Sequence, residues 1–347
     1  MRRINEIDYI RTFSMLAVIA IHVTSGFIHS ESSFTLLGMN MAFWLNQLSR
    51  FSVPAFVLLS GLGLSLSNTD TTYISFIKRR MVKVFMPYVI WCFVYTIYNC
   101  DYDLNALWDG GRFFENFIRS LVTGDPASHL YFMVIITQMY LLYPFIKNIS
   151  RKRAGLTLVL SALISLYFIT GIYLRGFGVE ILPVYIRQEA WLIFPTWLVY
   201  FVIGASLDRP RLEKIIDSAR KYVGLSFLVF SVLIVLSVLE GRLLNTYELS
   251  IKPQLLIIVP VFCYLCMGLG KVFGNISMAD KVMAFLAKHA MNIYFAHVLV
   301  LMNLRKEEFL TKGMRGMFLT YVLVFGISLI ISIVLESVGK VIKKMVK

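Results

Sequence analysis

Charge is scarce in this chain, and that scarcity decides the class of protein. Only 16% of its 347 residues are charged, whereas 58% are hydrophobic. A soluble domain carries about 25% charged residues, so this composition excludes an ordinary soluble enzyme. Cysteine is also scarce: four in so long a chain do not form a disulfide framework. Cys263 and Cys266 share one face of an apolar helix with no His or carboxylate nearby, so we expect no metal site.

Other signals of soluble enzymes are missing as well. The sequence has no tandem repeat, no low-complexity tract and no Gly-x-Ser-x-Gly nucleophile motif. Its longest segment between apolar stretches is the acidic and aromatic loop at about 100–129, too short for a soluble domain. This loop is expected outside the membrane, as a lid or re-entrant segment or as an amphipathic surface helix.

What the chain has instead is long apolar stretches, each near the roughly 20 residues that a membrane-spanning helix needs. They lie near residues 7–28, 41–66, 82–99, 130–147, 155–174, 190–207, 222–240, 254–270, 283–303 and 316–339. The sequence therefore predicts an all-α polytopic integral membrane protein of about ten transmembrane helices, forming a single domain over 1–347.

The net charge of +14 follows from membrane orientation and does not indicate a nucleic-acid partner. With the N-terminus in the cytoplasm, 22 of the 34 Lys and Arg residues fall inside, 10 outside and two within the membrane. This is the positive-inside pattern, so we expect a multi-pass protein of the cell membrane with both termini cytoplasmic. The outer loop 304–315 is the weak point, because it carries four of the basic residues.

Two ionisable residues interrupt the first apolar stretch on one face. Arg11 and His22 are eleven residues apart, which in an α-helix is about 20° beyond three turns and roughly 16 Å along the axis. Ionisable side chains inside a membrane usually face a protein interior or a water-filled cavity. The pair therefore indicates a site, although an Arg reaching the membrane edge and a hydrogen-bonded core His remain an alternative.

Two further polar residues reach the depth of His22. On a ninth helix starting near residue 283, His297 lies about as far from the cytoplasm as His22, near 21 Å. Arg50, entering from outside on the second helix, lies about 18 Å from the inner edge of a roughly 30 Å core. We expect these three side chains to lie near one plane, with His129 and Glu189 near the outer rim and Arg11 beside Asp8 near the cytoplasm.

These positions suggest which chemistry the site performs. Imidazole titrates near neutral pH, so His22 is the candidate general base for a hydroxyl nucleophile. Arginine fits phosphate through its forked donors, so Arg11 suits a donor with an anionic head such as acyl-coenzyme A. Lys78, Arg79 and Arg80 add charge at the same inner surface, unless they only fix the topology.

At these residues the chain resembles the membrane-bound acyltransferase 3 family. Ile7–Arg11, ten residues and then His22 look like the R-x10-H signature of that family. Weaker similarities follow in the family's order: Ser52–Gly61, Phe76–Tyr88, His129–Phe132 with Tyr131 for the usual Trp, and Lys288–His297 with Ala290 where Ser is common.

The resemblance implies a ten-helix enzyme that moves an acyl group, commonly acetyl, from cytoplasmic acyl-coenzyme A to a hydroxyl of a cell-surface or exported carbohydrate. Arg11 and His22 match the family's essential pair. Acyl-coenzyme A is then a substrate, with no permanently bound cofactor. Some relatives carry an extra SGNH hydrolase-like domain; here we expect a stand-alone form that acts alone, as a homodimer or with glycan-biosynthesis proteins.

From the residues assigned above, we expect Arg11 with Lys78, Arg79 and Arg80 to bind the donor. Arg50, His129, Glu189 and His297 are then expected to bind the acceptor. The main competing hypothesis is an exporter of a polysaccharide or lipid-linked sugar, because charges inside a membrane also suit a transport path. A membrane scaffold or sensor leaves the Arg11 and His22 face unexplained.

The charge distribution makes the topology testable. A fluorescent protein fused after Lys347 should fold in the cytoplasm and fluoresce. Alkaline phosphatase fused within the loop 100–129 should be active, since it is exported. Phosphatase activity from the C-terminal fusion contradicts the predicted orientation.

Overall fold

The computed structural model shows an almost entirely helical protein. It describes residues 4–28, 35–36, 39–67, 72–99, 110–246, 249–274, 276–307, 310 and 312–345. The helices are α1 Asn5–Thr24, α2 Met41–Leu48, α3 Ser52–Leu66, α4 Tyr73–Arg80, α5 Met86–Asn99, α6 Gly110–Thr123, α7 Tyr131–Arg175, α8 Val184–Arg187, α9 Phe194–Ala205, α10 Arg209–Lys221, α11 Val223–Leu243, α12 Leu255–Phe273, α13 Ser277–Leu304 and α14 Gly313–Met345. Strands β1 Thr35–Leu36 and β2 Met39–Asn40 pair antiparallel, with Leu36 opposite Met39.

The predicted all-α membrane class is confirmed. Nine helical segments of the described chain are long and apolar enough to cross a membrane. Together α2, α3 and the turn between them make one of these segments, Met41–Leu66, and α7 supplies two, Tyr131–Ile149 and Arg153–Arg175. Arg153 separates those two because its backbone leaves helical geometry, with φ −145° and ψ 58°.

The sixth predicted stretch, 190–207, is shorter than expected. Its helix α9 has only 12 residues, about 18 Å of α-helix. Pro195 explains the late start, because proline has no backbone N–H and fits an α-helix only in the first turn. A hydrogen bond holds the turn that precedes α9: Trp197 Nε1 donates to the carbonyl oxygen of Trp191 over 2.8 Å.

The chain divides into two compact units. Unit 1 comprises Met1–Phe56, Pro210–Ser250 and Gln254–Lys347, and unit 2 comprises Val57–Arg209 and Ile251–Pro253. The expectation of a single domain over 1–347 stays a prediction.

Unit 1 is organised around α1, which packs against α12, α13 and α14. Its core is apolar and draws on three of these helices, with Ile19 and Val23 from α1, Ile293 from α13 and Val324 from α14 all buried. Hydrogen bonds join the same helices. Thr12 Oγ1 donates to the carbonyl oxygen of Met283 over 3.2 Å. This packing places both predicted histidines inside unit 1.

Unit 2 depends on a close helix contact. Gly61 of α3 lies against the backbone of Phe201 in α9, and Gly204 lies against the backbone of Leu58. A Cβ atom at either glycine would overlap a carbonyl oxygen of the facing helix. Gly61 and Gly204 are therefore packing residues, in line with small residues at membrane helix interfaces.

The helix geometry of unit 2 changes directly after α4. Residues Met81–Phe85 form a π-helix between α4 and α5. Such segments are rare and are frequent at functional sites. This one follows directly after Lys78, Arg79 and Arg80, which occupy the last turn of α4.

The predicted outer loop is only partly described. Residues 100–109, which include Cys100, lie outside the described residues. The described part contains α6, whose Phe113 and Phe117 rings pack edge-on against Phe93 at 6.1 and 5.9 Å. Gly124 ends this helix with φ +71°, a conformation that favours glycine.

The glycine contact predicts a position-specific loss of stability. Gly61→Ala should lower the unfolding free energy by about 1–3 kcal/mol, because the added methyl group overpacks the contact. Gly63→Ala is the matched control, since a Cβ there meets nothing within 4 Å. Thermal unfolding in detergent measures both. Equal melting temperatures for the two variants contradict the proposed contact.

Candidate active site

His22 and His297 meet in unit 1. Their ring centroids are 5.2 Å apart, with the rings inclined at 56°. His22 lies in the last turn of α1, whereas His297 lies two turns before the end of α13. The structure thus brings together the two histidines that were expected at one depth.

The two rings differ in accessibility. His297 is fully buried, with 0% of its surface exposed, whereas His22 is only partly buried. Of the two residues, His22 is therefore the less buried. This refines the expectation of a buried His22.

Backbone contacts fix the chemical form of His297. Its Nδ1 lies 2.6 Å from the carbonyl oxygen of Tyr294 and 3.3 Å from that of Ile293. A carbonyl oxygen only accepts, so Nδ1 must carry the hydrogen. In the neutral ring the lone pair is then on Nε2, the nitrogen that can accept a proton or a hydrogen bond.

Arg305 binds the end of helix α1 at His22. Its Nη2 donates to the carbonyl oxygen of His22 over 2.8 Å and to Ser25 Oγ over 3.2 Å. Ser25 Oγ also donates to the same carbonyl over 2.8 Å. A cation at a helix C-terminus interacts favourably with the helix dipole, so Arg305 stabilises the turn that carries His22.

Arg50 is connected to the same turn through Asn46. Arg50 lies in the short 3₁₀ segment Ser49–Phe51, and its Nη2 donates to Asn46 Oδ1 over 2.7 Å. The other side of the Asn46 amide donates to the carbonyl oxygen of Ile21 over 3.2 Å and to Thr24 Oγ1 over 3.1 Å. Asn46 is 1% exposed, so this link is inside the protein.

The second guanidinium nitrogen of Arg50 points to the segment between α11 and α12. Arg50 Nη1 donates to Ser250 Oγ over 2.6 Å. Sequence reasoning missed Asn46, Thr24, Ser250 and Arg305. Only Asn46 had a local signal, because it precedes Arg50 by four residues and shares its helix face.

Arg11 lies in the N-terminal half of α1, the half that the sequence predicts to be nearer the cytoplasm. Its Nη1 donates to Asp8 Oδ1 over 3.1 Å, and its side chain is 38% exposed against 5% for Asp8. Eleven helical residues separate it from His22, about 16 Å along a continuous α1. Arg11 therefore has a carboxylate partner and also keeps an exposed face for a ligand.

The other predicted site residues belong to unit 2. Lys78 and Arg79 are exposed, whereas Arg80 lies 5.5 Å from the ring centres of both Phe76 and Tyr140. These cation–π contacts hold Arg80 in place and distinguish it from its two neighbours.

The outer-rim candidates of unit 2 differ from each other. His129 is 2% exposed and contacts the ring of Tyr95 edge-on at 5.4 Å. Glu189 is exposed, in the turn before α9. Of the four expected acceptor-binding residues, Arg50 and His297 belong to unit 1, and His129 and Glu189 to unit 2.

Among the described residues, no group of three or more His, Cys, Asp or Glu side chains could hold a metal ion. Cys92, Cys263 and Cys266 are buried free thiols. The described site offers imidazole, guanidinium, amide and hydroxyl groups.

The chain is similar to known membrane proteins over most of its length. The acyltransferase 3 family model, described as "Acyltransferase domain", matches residues 4–337. A Bacillus subtilis protein named "Putative membrane-bound acyltransferase YfiQ" is 25% identical over 308 residues, which are 85% of this chain and 80% of that protein. A Staphylococcus aureus protein named "Probable poly-beta-1,6-N-acetyl-D-glucosamine export protein" is 22% identical over 337 residues, 94% of this chain and 91% of that protein. No solved structure matches the chain.

The Asn46 link predicts a specific loss of stability. Asn46→Leu should lower the unfolding free energy by about 1–3 kcal/mol, because Arg50 and the end of α1 lose a buried partner. Asn303→Leu is the matched control, since that exposed amide bonds only the carbonyl oxygen of Leu299, one turn earlier in its own helix. Thermal unfolding in detergent should show a lower melting temperature for Asn46→Leu alone. Similar shifts in both variants mean that Asn46 does not hold the helices together.

Proposed function

This chain belongs to the acyltransferase 3 family, and we propose that it is a membrane O-acyltransferase acting on carbohydrate. The donor is a cytoplasmic acyl-coenzyme A, in the simplest case acetyl-coenzyme A. The acceptor is a hydroxyl of a cell-surface or exported carbohydrate. The contact between His22 and the fixed ring of His297 carries this proposal.

In the proposed reaction His22 is the general base. Its imidazole takes the proton of the acceptor hydroxyl while the hydroxyl oxygen attacks the thioester carbonyl carbon. The bond from carbon to sulfur then breaks, and the coenzyme A thiolate leaves and takes up a proton. The products are an ester and free coenzyme A, without a covalent enzyme intermediate.

His297 is proposed to orient its partner and not to abstract the proton of the acceptor. Because Nδ1 is held by the carbonyl oxygen of Tyr294, the Nε2 lone pair can accept a hydrogen bond from the neighbouring His22 ring. A fixed second imidazole selects one tautomer and orientation of its partner, as the orienting group of a catalytic triad does. Because His297 is completely buried, we do not assign it as the base that takes the acceptor proton.

The donor is proposed to approach from the cytoplasmic end of α1. Arg11 would bind its phosphate groups, since guanidinium forks fit phosphate oxygens. The extended pantetheine arm, roughly 16 Å or more, is comparable with the rise from Arg11 to His22. The acceptor would then come from the outer side, where His129 and Glu189 are expected, and the reaction would span the membrane.

Export of a polysaccharide is the second candidate, favoured by one observation. The Staphylococcus aureus relative bears the name of an export protein and covers 94% of this chain. In that case Arg11, His22 and Arg50 would contact a moving glycan and no ester would form. The two functions differ in whether acyl-coenzyme A is consumed.

Transfer in sealed proteoliposomes tests the proposal. With labelled acetyl-coenzyme A on the face that exposes the termini and an oligosaccharide on the other, we expect labelled ester on the sugar. His22→Gln should reduce turnover by about 10² to 10⁴-fold with little change in donor affinity, because only proton transfer is lost.

His289→Gln serves as the control for this experiment. His289 is also a buried histidine of unit 1, but it bonds Ser332 Oγ at 2.8 Å and belongs to no part of the proposed site. Full transfer in correctly folded His22→Gln removes His22 from the mechanism. Movement of unmodified oligosaccharide without consumption of acyl-coenzyme A supports the exporter.

Arg11 should affect donor binding more than turnover. Arg11→Gln should raise the KM for acyl-coenzyme A while kcat changes little, and Arg11→Lys should restore affinity only in part, because an ammonium group lacks the guanidinium fork. Since Arg11 also pairs with Asp8, the comparison is repeated in an Asp8→Asn background. An unchanged KM in both backgrounds shows that Arg11 only neutralises Asp8.

A further inference from the structure

A groove of about 540 Å³ runs between α11 and α12 of unit 1. Leu225 and Val229 of α11 form one wall, and Pro260, Val261 and Tyr264 of α12 form the other. The volume is typical of a ligand site, for which about 300–1,000 Å³ is usual. None of these residues belongs to the His22, His297 and Arg50 cluster.

Contacts on both sides of the groove hold the two helices. On one side Gly268 of α12 lies against the carbonyl oxygen of Ala219 in α10 and near the side chain of Val223 at the start of α11, and Tyr264 shares a hydrogen bond of 2.8 Å with Ser218 of α10. Toward the other ends of the helices, Gln254 Nε2 donates to Glu240 Oε2 over 3.0 Å. The groove lies between these contacts, so the packing of the helices determines its shape.

The walls of the groove suit a hydrocarbon chain. The lining is almost entirely apolar. Ser226, its one aliphatic hydroxyl, donates to the carbonyl oxygen of Val223 over 2.9 Å in its own helix. Leu225 is 58% exposed and Val229 is 38% exposed, so the groove opens to the surface of a membrane-spanning helix. A lipid chain can enter there without crossing water.

One end of the groove is positively charged. Lys221 Nζ lies 5.2 Å from the ring centre of Tyr222, the lining residue at that end. Arg220 is exposed next to it, and the neighbouring carboxylate of Asp217 is paired with Lys271 at 3.6 Å. Basic residues directly beside a membrane helix attract anionic lipids of the cytoplasmic leaflet, where the Lys and Arg distribution places this end.

We propose that this groove is a binding site for one anionic phospholipid. An acyl chain lies between Leu225, Val229, Pro260 and Val261, and the phosphate group lies beside Arg220 and Lys221. Charge complementarity at the rim selects an anionic headgroup over a zwitterionic one. The site is independent of the acyl transfer proposed above.

Photocrosslinking of the wild-type chain tests the location. The protein is reconstituted with phosphatidylglycerol that carries a diazirine in its acyl chain, and the labelled peptides are mapped by mass spectrometry. Labels should concentrate on the segments 225–229 and 260–264. Labels spread evenly over all exposed helices show an ordinary annular lipid and overturn the site.

Native mass spectrometry from mixed phosphatidylglycerol and phosphatidylcholine tests the selectivity. The wild type should retain one phosphatidylglycerol, and Leu225→Trp and Lys221→Glu should each reduce its occupancy by about tenfold. The matched controls are Leu228→Trp, which is 59% exposed on α11 but does not line the groove, and Lys281→Glu, an exposed lysine of α13.

Three results at the groove overturn the proposal, the third of them after acyl-coenzyme A is added. They are equal retention of phosphatidylcholine, full occupancy in Leu225→Trp, and displacement of the lipid by acyl-coenzyme A, which would make the groove a donor site. Loss of occupancy in the controls as well as the groove variants would also count against it, because the effect would then not be local.

Discussion

The structure of the site depends on how the carbonyl oxygens at the end of α1 are satisfied. The last four carbonyl oxygens of an α-helix have no partner within the helix, and here side chains from other parts of the protein supply donors. Asn46 donates to the carbonyl of Ile21, and Arg305 donates to that of His22. These two contacts fix the turn that carries the His22 ring, and the first of them also positions Arg50. The candidate active site is thus built on the end of one helix.

The depth of polar residues was predictable because an α-helix rises by a constant amount per residue. Counting residues from the membrane edge put His22 and His297 at one level, and their rings lie 5.2 Å apart. The same arithmetic placed Arg50 near this plane, and one asparagine connects it to α1. The all-α class was also predictable from composition. A long apolar stretch that crosses a membrane must satisfy its own backbone hydrogen bonds, and an α-helix does so.

Contacts between helices could not be predicted in this way, because they depend on how each helix is rotated about its axis. Arg305 and His22 are 283 residues apart, and no periodicity in the sequence joins them. Arg305 had counted against the predicted orientation as an outer cation. In the structure it binds the end of α1, and the predicted orientation stays a prediction. The short α9 was missed for a local reason, since Pro195 determines where a helix can begin.

The π-helix at Met81–Phe85 has a consequence for how the basic segment faces its surroundings. An α-helix turns by about 100° per residue, so a wider turn changes the angular phase between the residues before it and those after it. Lys78, Arg79 and Arg80 lie before this turn, and the apolar face of α5 lies after it. The direction of the three cations is therefore set by backbone register. A chain with one residue fewer here would carry the same charges on a different side.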